Sequence, residues 1–229
     1  MKKHRLFPTL ITESVYPRFA EFKPAFFNVL PQHSNDNLQS NENTGHNDLQ
    51  HGVAFADLYA FIGRAVKDHI KECGLDPEFQ NLYIVKSWLM ITKDWSVPVH
   101  NHADAQLSFV YYVNIPTSFT PDRICFISPR PNQFYKNIYS QNATEWNEFN
   151  AHNFSILPTE GMLLVFPASV DHFTGSGEEN EYTLRENSIP SKIGPENMRI
   201  CLAGDIVFTY KTVEAKSYGL MPISNWKLI

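Results

Sequence analysis

The sequence predicts a mainly β (α+β) fold, an antiparallel sandwich or barrel of short strands with a supporting N-terminal helix. Three observations carry this. After Asp76-Pro77 the apolar residues fall into short runs rich in Val, Ile, Phe and Tyr, separated by turn residues, which is the pattern of strands. No helical segments alternate with those runs, so the parallel βαβ classes do not apply. Before Asp76, Val53, Leu58, Phe61, Ile62, Ala65, Val66 and Ile70 recur at helical spacing and stop at Gly74, a residue suited to a helix C-terminal cap.

Taken in order, residues 6–30 carry Pro8, Pro17 and Pro24, with Pro31 just beyond. That density predicts an extended opening strand and irregular packing rather than a long helix. Residues 32–51, rich in Asn, Gln, Ser and His, read as a solvated loop. The strand runs are Leu82–Val85, Trp88–Ile91, Leu107–Ile115, Ile124–Ile127, Gly161–Phe166 and Arg199–Tyr210. The stretches at about 128–157 and 173–197 are expected to be loops over the barrel mouth, where recognition usually resides. The whole, 1–229, reads as one domain: an extension with a helix over 1–76, a β core over 77–210 and a tail over 211–229.

Composition narrows the class. The 229 residues are 43% hydrophobic and 14% aromatic, enough for a sizeable core. A net charge of −5 without a basic run argues against sequence-independent nucleic-acid binding. Cys73, Cys125 and Cys201 are odd in number and far apart, as in a chain with reduced thiols. No leader-like or membrane-spanning apolar run occurs, so a cytoplasmic location is expected and no membrane partner.

The chemistry concentrates in His100-Asn101-His102-Ala103-Asp104. Three potential ligands at alternate positions of an extended chain face the same way. Downstream, Gly161-Met162-Leu163-Leu164-Val165-Phe166-Pro167 leads to His172. Together these predict an iron site in a double-stranded β-helix (a jelly roll, cupin-like), and hence an oxidising enzyme. Two histidines and a carboxylate, with the remaining positions open, suit non-haem Fe(II). His102 and His172 belong to every arrangement, while Asp104 and His100 compete for the third position. The literal His-x-Asp favours Asp104. The short connection from Asp104 to the strand at Leu107 favours His100. His4, His33, His46, His51, His69 and His152 read as surface or hydrogen-bonding residues.

These residues resemble the 2-oxoglutarate/Fe(II) oxygenase superfamily, most of all the oxygenases common in tailed phages and marine bacteria. In that group an H-x-H element runs into a strand of the type L-S-G-V-Y-Y-V-x-x-P. Here it reads His100-Asn101-His102, then Leu107-Ser108-Phe109-Val110-Tyr111-Tyr112-Val113-Asn114-Ile115-Pro116. Phe109 stands where the group usually has glycine. Ile124-Cys125-Phe126-Ile127-Ser128-Pro129-Arg130, Gly161 to His172, and Arg199-Ile200-Cys201-Leu202-Ala203-Gly204-Asp205 follow in the group's order. The opening Leu6-Phe7-Pro8-Thr9 is also similar. The interval from His172 to Arg199 is longer than usual, which implies an insertion across Gly175 to Asn197. Cys201 stands where the superfamily often has a hydroxyl.

The resemblance implies Fe(II) held by His102, His172 and either Asp104 or His100, with 2-oxoglutarate as cosubstrate. Its distal carboxylate calls for a buried cation. Arg199, opening an apolar strand, is preferred over Arg185, which sits among polar residues. Tyr111 or Tyr112 is expected to add a phenolic hydrogen bond, Tyr111 being favoured by analogy with prolyl hydroxylases. Trp88, Trp95 and Phe166 are candidate pocket walls, and Arg130 a candidate contact for an anionic substrate. Two other readings stay open. One is a cupin-type metalloenzyme that does not use 2-oxoglutarate, although Gln106 occupies the region where that motif expects a glutamate. The other is a non-catalytic β-helix module that binds or builds. The expected partner is a small-molecule or macromolecular substrate of unknown identity, with a second copy of the chain as a further candidate. If the chain is phage-encoded, its expected location is the host cytoplasm.

Overall fold

The computed structural model describes residues 8–33, 42–43, 48–92, 97–115, 123–129, 144–145, 151–175, 198–212 and 219–228. The opening strand β1 (Thr12–Val15) leads into helix α1 (Phe19–His33), followed by the two-residue strand β2 (Glu42–Asn43) and helix α2 (Ala56–Glu72). Eight strands follow: β3 (Gln80–Thr92), β4 (Val97–His100), β5 (Leu107–Asn114), β6 (Arg123–Ile127), β7 (Asn153–Ile156), β8 (Met162–Pro167), β9 (His172–Gly175) and β10 (Arg199–Tyr210).

The strands form two sheets, one of order β1-β8-β5-β10-β3-β2 and one of order β4-β9-β6-β7. All their pairings are antiparallel. This is the double-stranded β-helix expected from the sequence. Alternation along the strands divides the core in two. Leu89, Ile91, Phe109, Tyr111, Leu163, Val165, Ile200 and Leu202 face the helices. Tyr112, Leu164, Phe166 and Cys201 face the small sheet, where they meet Ile124 and Phe126.

Helix α2 buries Leu58, Tyr59, Ile62, Val66, His69 and Ile70 on one stripe. It ends in a Schellman turn: Gly74 N–H donates to Lys71 O at 2.8 Å and Leu75 N–H to Ile70 O at 3.2 Å. Gly74 has φ +77°, a conformation glycine adopts without Cβ strain. Val53, expected on the apolar stripe, instead lies in a preceding 3-10 turn and is 91% exposed.

The proline-rich opening departs from expectation, because Phe19–His33 is helical despite Pro24 and Pro31. Phe22, Phe26 and Leu30 recur every four residues and are all buried against the core. Pro24 lies on the exposed side. An interior proline costs about 3 kcal/mol. Burying three large side chains at ~1.5–3 kcal/mol each offsets that.

Leu82–Val85 and Trp88–Ile91 form a single strand, β3. Its pairing with β10 skips Val85, since Lys86 opposes Asp205 and Ile84 opposes Ile206, which is the signature of a bulge. β4 was not anticipated. β7 and β9 fall wholly or partly inside the stretches expected to be loops. Much of those stretches, 130–143, 146–150 and 176–197, lies outside the described residues. So does most of the polar 32–51 segment. Among the described residues, no helix is long and apolar enough to cross a membrane.

Candidate metal centre

His100 closes β4 and His172 opens β9, and the two are register partners across the small sheet. Their rings lie 4.3 Å apart, centroid to centroid. His102 belongs to the connection between β4 and β5. Its backbone N–H donates to Ala168 O at 2.9 Å, which fixes the connection to the turn after β8. Its ring stacks parallel to His172, with centroids 5.3 Å apart and planes 8° apart. One ring nitrogen from each of His100, His102 and His172 lies within 4.8 Å of the other two.

The second nitrogen of each ring determines what the cluster can hold. His100 Nδ1 lies 2.8 Å from Pro98 O, His172 Nδ1 lies 2.9 Å from Val170 O, and His102 Nδ1 lies 2.8 Å from Asp205 Oδ1. A carbonyl or carboxylate oxygen only accepts, so each Nδ1 must carry the proton. Each ring then keeps its Nε2 lone pair for a cation. Burial pushes the His172 pKa down to about 4, so that ring is neutral near pH 7. Imidazole donors suit iron and other borderline metals, whereas calcium and magnesium favour oxygen donors. The donor set therefore fits Fe(II).

Asp104 is not part of this cluster. It sits exposed in the turn before β5, because the chain leaves the extended conformation at Asn101 and the period-two facing stops there. Of the two candidates for the third position, His100 lies beside the other two rings and Asp104 does not.

The cleft over the cluster is lined by Trp88, Met90, Val110, Tyr112, Phe166 and Arg199, among others. Its floor is the large sheet. Along β10, Arg199, Cys201, Ala203 and Asp205 alternate onto the inner face, with Met90 and Tyr112 flanking Cys201, and Trp88 and Val110 flanking Ala203. Trp88 stacks on His102 with centroids 5.7 Å apart, and Phe166 meets His172 edge-on at 4.9 Å. Arg199 is only 3% exposed. It donates a long hydrogen bond to Tyr112 Oη at 3.4 Å, with its guanidinium 5.2 Å from that ring's centroid. Burial holds the Tyr112 phenol far above its usual pKa, and the neighbouring Cys201 thiol is raised for the same reason.

Tyr111, favoured from the sequence, faces the other way. It packs against Tyr16 and Phe22 under the helices, and its buried hydroxyl has no hydrogen-bond partner among the described residues. The strand's alternation puts Tyr112 beside Arg199 instead. Arg185, Arg130 and Trp95 lie outside the described residues. Asp205 was missed altogether as a site residue. The signal was present, because an inward Arg199 puts every second residue of its strand inward, and Asp205 is the third such residue after it.

Three imidazoles placed so that they could chelate a metal ion thus share a cleft with a buried arginine, between the two sheets. Residues 86–183 match the family described as "Putative 2OG-Fe(II) oxygenase". That match includes all three histidines and Tyr112 but ends before β10. No curated protein matches the chain. Among solved structures, a prolyl-4-hydroxylase from Pseudomonas putida is similar, with 11% identity, 87% of this chain and 92% of that chain covered, and a TM-score of 0.49. HygX from Streptomyces hygroscopicus, with nickel and 2-oxoglutarate bound, is 11% identical over 93% of this chain and 92% of that one, with a TM-score of 0.49. The viral collagen prolyl hydroxylase of Paramecium Bursaria Chlorella virus-1 is 10% identical over 86% of this chain and 94% of that one, with a TM-score of 0.48.

Proposed function

We propose that the chain is a non-haem Fe(II), 2-oxoglutarate-dependent dioxygenase of the hydroxylase type, whose metal ligands are His100, His102 and His172. The observation that carries the ligand assignment is the set of three Nδ1 atoms, each facing an oxygen acceptor, in three rings that each bring one nitrogen within 4.8 Å of the other two. When bound, iron and 2-oxoglutarate supply oxygen activation, with decarboxylation of the cosubstrate to succinate coupled to oxidation of the substrate.

The remaining roles belong to the protein. Arg199 is suited to pair with the distal carboxylate of 2-oxoglutarate, since a buried guanidinium stays charged and offers a planar pair of donors. Tyr112 holds that guanidinium in place and presents a neutral phenol beside it. Trp88, Val110 and Phe166 keep the cleft apolar and exclude water, which strengthens each polar contact inside it. A metal-dependent oxidation without 2-oxoglutarate would use the same three histidines. The buried Arg199–Tyr112 pair in the same cleft favours the cosubstrate.

Anaerobic reconstitution with Fe(II), followed by succinate measurement, tests this reading. Succinate release should require both iron and 2-oxoglutarate. Iron uptake without 2-oxoglutarate binding would refute it. His100→Ala should lose iron as severely as His102→Ala, whereas Asp104→Ala should bind iron like the unaltered protein.

A further inference from the structure

Asp205 is 1% exposed, and burying a carboxylate is costly without partners. Three groups surround it. Lys86 and Ser108 are its register partners on the two flanking strands, so the three form one row across the sheet. Ser108 Oγ donates to Oδ1 at 2.7 Å. Lys86 Nζ lies 2.9 Å from Oδ2 as an ion pair, without the alignment of a hydrogen bond. The bulge at Val85 adjoins this row and sets the register that puts Lys86 opposite the carboxylate. Burial alone would raise the Asp205 pKa, but His102, Lys86 and Ser108 together hold it below the usual carboxylate range.

Fold stability alone is a poor explanation for this arrangement. A buried ion pair typically contributes little next to apolar residues of similar volume. The three histidines suggest another. His100 and His172 each donate Nδ1–H to the carbonyl two residues earlier, Pro98 O and Val170 O. These two rings are therefore oriented by their own backbone. The acceptor for His102 Nδ1 is instead a side chain distant in sequence, Asp205 Oδ1 on β10 of the large sheet.

We propose that Asp205 is a positioning residue for the metal centre: it fixes the His102 ring and tautomer so that Nε2 faces the other two imidazoles, with Lys86 and Ser108 holding the carboxylate in turn. The proposal rests on His102 being a ligand. It also places an anion next to a ligand set that contains none, because a carboxylate behind an imidazole makes the ring a stronger donor toward a dication. The chain thus has its carboxylate one residue removed from the metal, hydrogen-bonded to a ligand instead of serving as one.

The test uses the full-length chain and Co(II), read by its visible absorption under anaerobic conditions, together with 15N spectra of the imidazoles in the metal-free protein. In the unaltered protein His102 should be the Nδ1–H tautomer. Asp205→Asn should weaken Co(II) binding about 10–100-fold and shift His102 toward a mixture of tautomers. Co(II) affinity within twofold of the unaltered protein, with the tautomer unchanged, would overturn the proposal and leave the ligand set intact. Wild-type affinity in His102→Ala would overturn the ligand set itself, and the proposal with it. If Asp205→Asn does not fold, the spectrum of the unaltered protein decides alone: an Nε2–H tautomer at His102 overturns the proposal and an Nδ1–H tautomer supports it.

Discussion

Phe109 on β5 lies directly opposite Gly204 on β10. A Cβ added at Gly204 would lie 2.5 Å from both Cε1 and Cζ of Phe109 and 2.9 Å from Lys86 O. The ring has little room to move, because Phe109 is 1% exposed and meets Tyr59 of α2 edge-on at 6.5 Å. Gly204→Ala should therefore destabilise by about 1–3 kcal/mol, toward the upper end because one of the close contacts is backbone. Phe109→Ala alone should cost about 3–5 kcal/mol for the void it leaves. In the double variant the new methyl enters space the ring has vacated, so the two costs should fall short of their sum by at least 1 kcal/mol. Urea unfolding of the four proteins at one pH, with equal dependence on denaturant, measures the coupling. Additive costs, or a Gly204→Ala protein within ~0.5 kcal/mol of the unaltered one, would refute the steric pairing.

The two tyrosines should separate in function. Tyr111→Phe removes a buried hydroxyl without a partner among the described residues, so stability should hold or rise by about 1 kcal/mol and the KM for 2-oxoglutarate should not move. Tyr112→Phe loses the contact with Arg199 and should raise that KM several-fold. Succinate assays that show the reverse pattern would return the cosubstrate role to Tyr111. His69 should contribute to acid sensitivity. Its Nδ1 is 2.9 Å from Thr12 Oγ1, its buried Nε2 has no hydrogen-bond partner among the described residues, and burial lowers its pKa below the unfolded value. The folded state favours neutral His69, so this contribution is fully present above a pH of about 6.5 and is lost as the pH falls below that toward the folded pKa. The urea midpoint of His69→Gln should fall less steeply between pH 7 and 5 than that of the unaltered protein, and parallel profiles would exclude the effect.

What could be read from the sequence follows the range of the interactions involved. Helix α2 was legible because its apolar stripe and Gly74 cap are local. The long β5, β8 and β10 strands were legible because both their faces are buried, leaving near-continuous apolar runs. Helix α1 was not, since Pro24 is a strong local signal and the burial of Phe22, Phe26 and Leu30 that overrides it is tertiary. The short strands of the small sheet, β4, β7 and β9, have four residues each, too few for alternation to show. At the site, the histidine cluster was visible as a motif, but the choice between His100 and Asp104 depended on where β4 ends. The choice between Tyr111 and Tyr112 depended on strand phase, and one residue of phase reverses the face.

The same phase accounts for how one strand serves two tasks at the centre. β10 is flanked by β3 and β5 along most of its length, so its side chains are constrained by neighbours on both edges. Arg199 near its start and Asp205 further along share its inner face. One is suited to the cosubstrate and the other to His102. His100 and His172 come from the small sheet, and His102 from the connection between the sheets. A metal held by all three would therefore join the two layers. Asp205 is the point at which the large sheet takes hold of that centre, which is why a carboxylate that does not touch the metal can govern how well it is held.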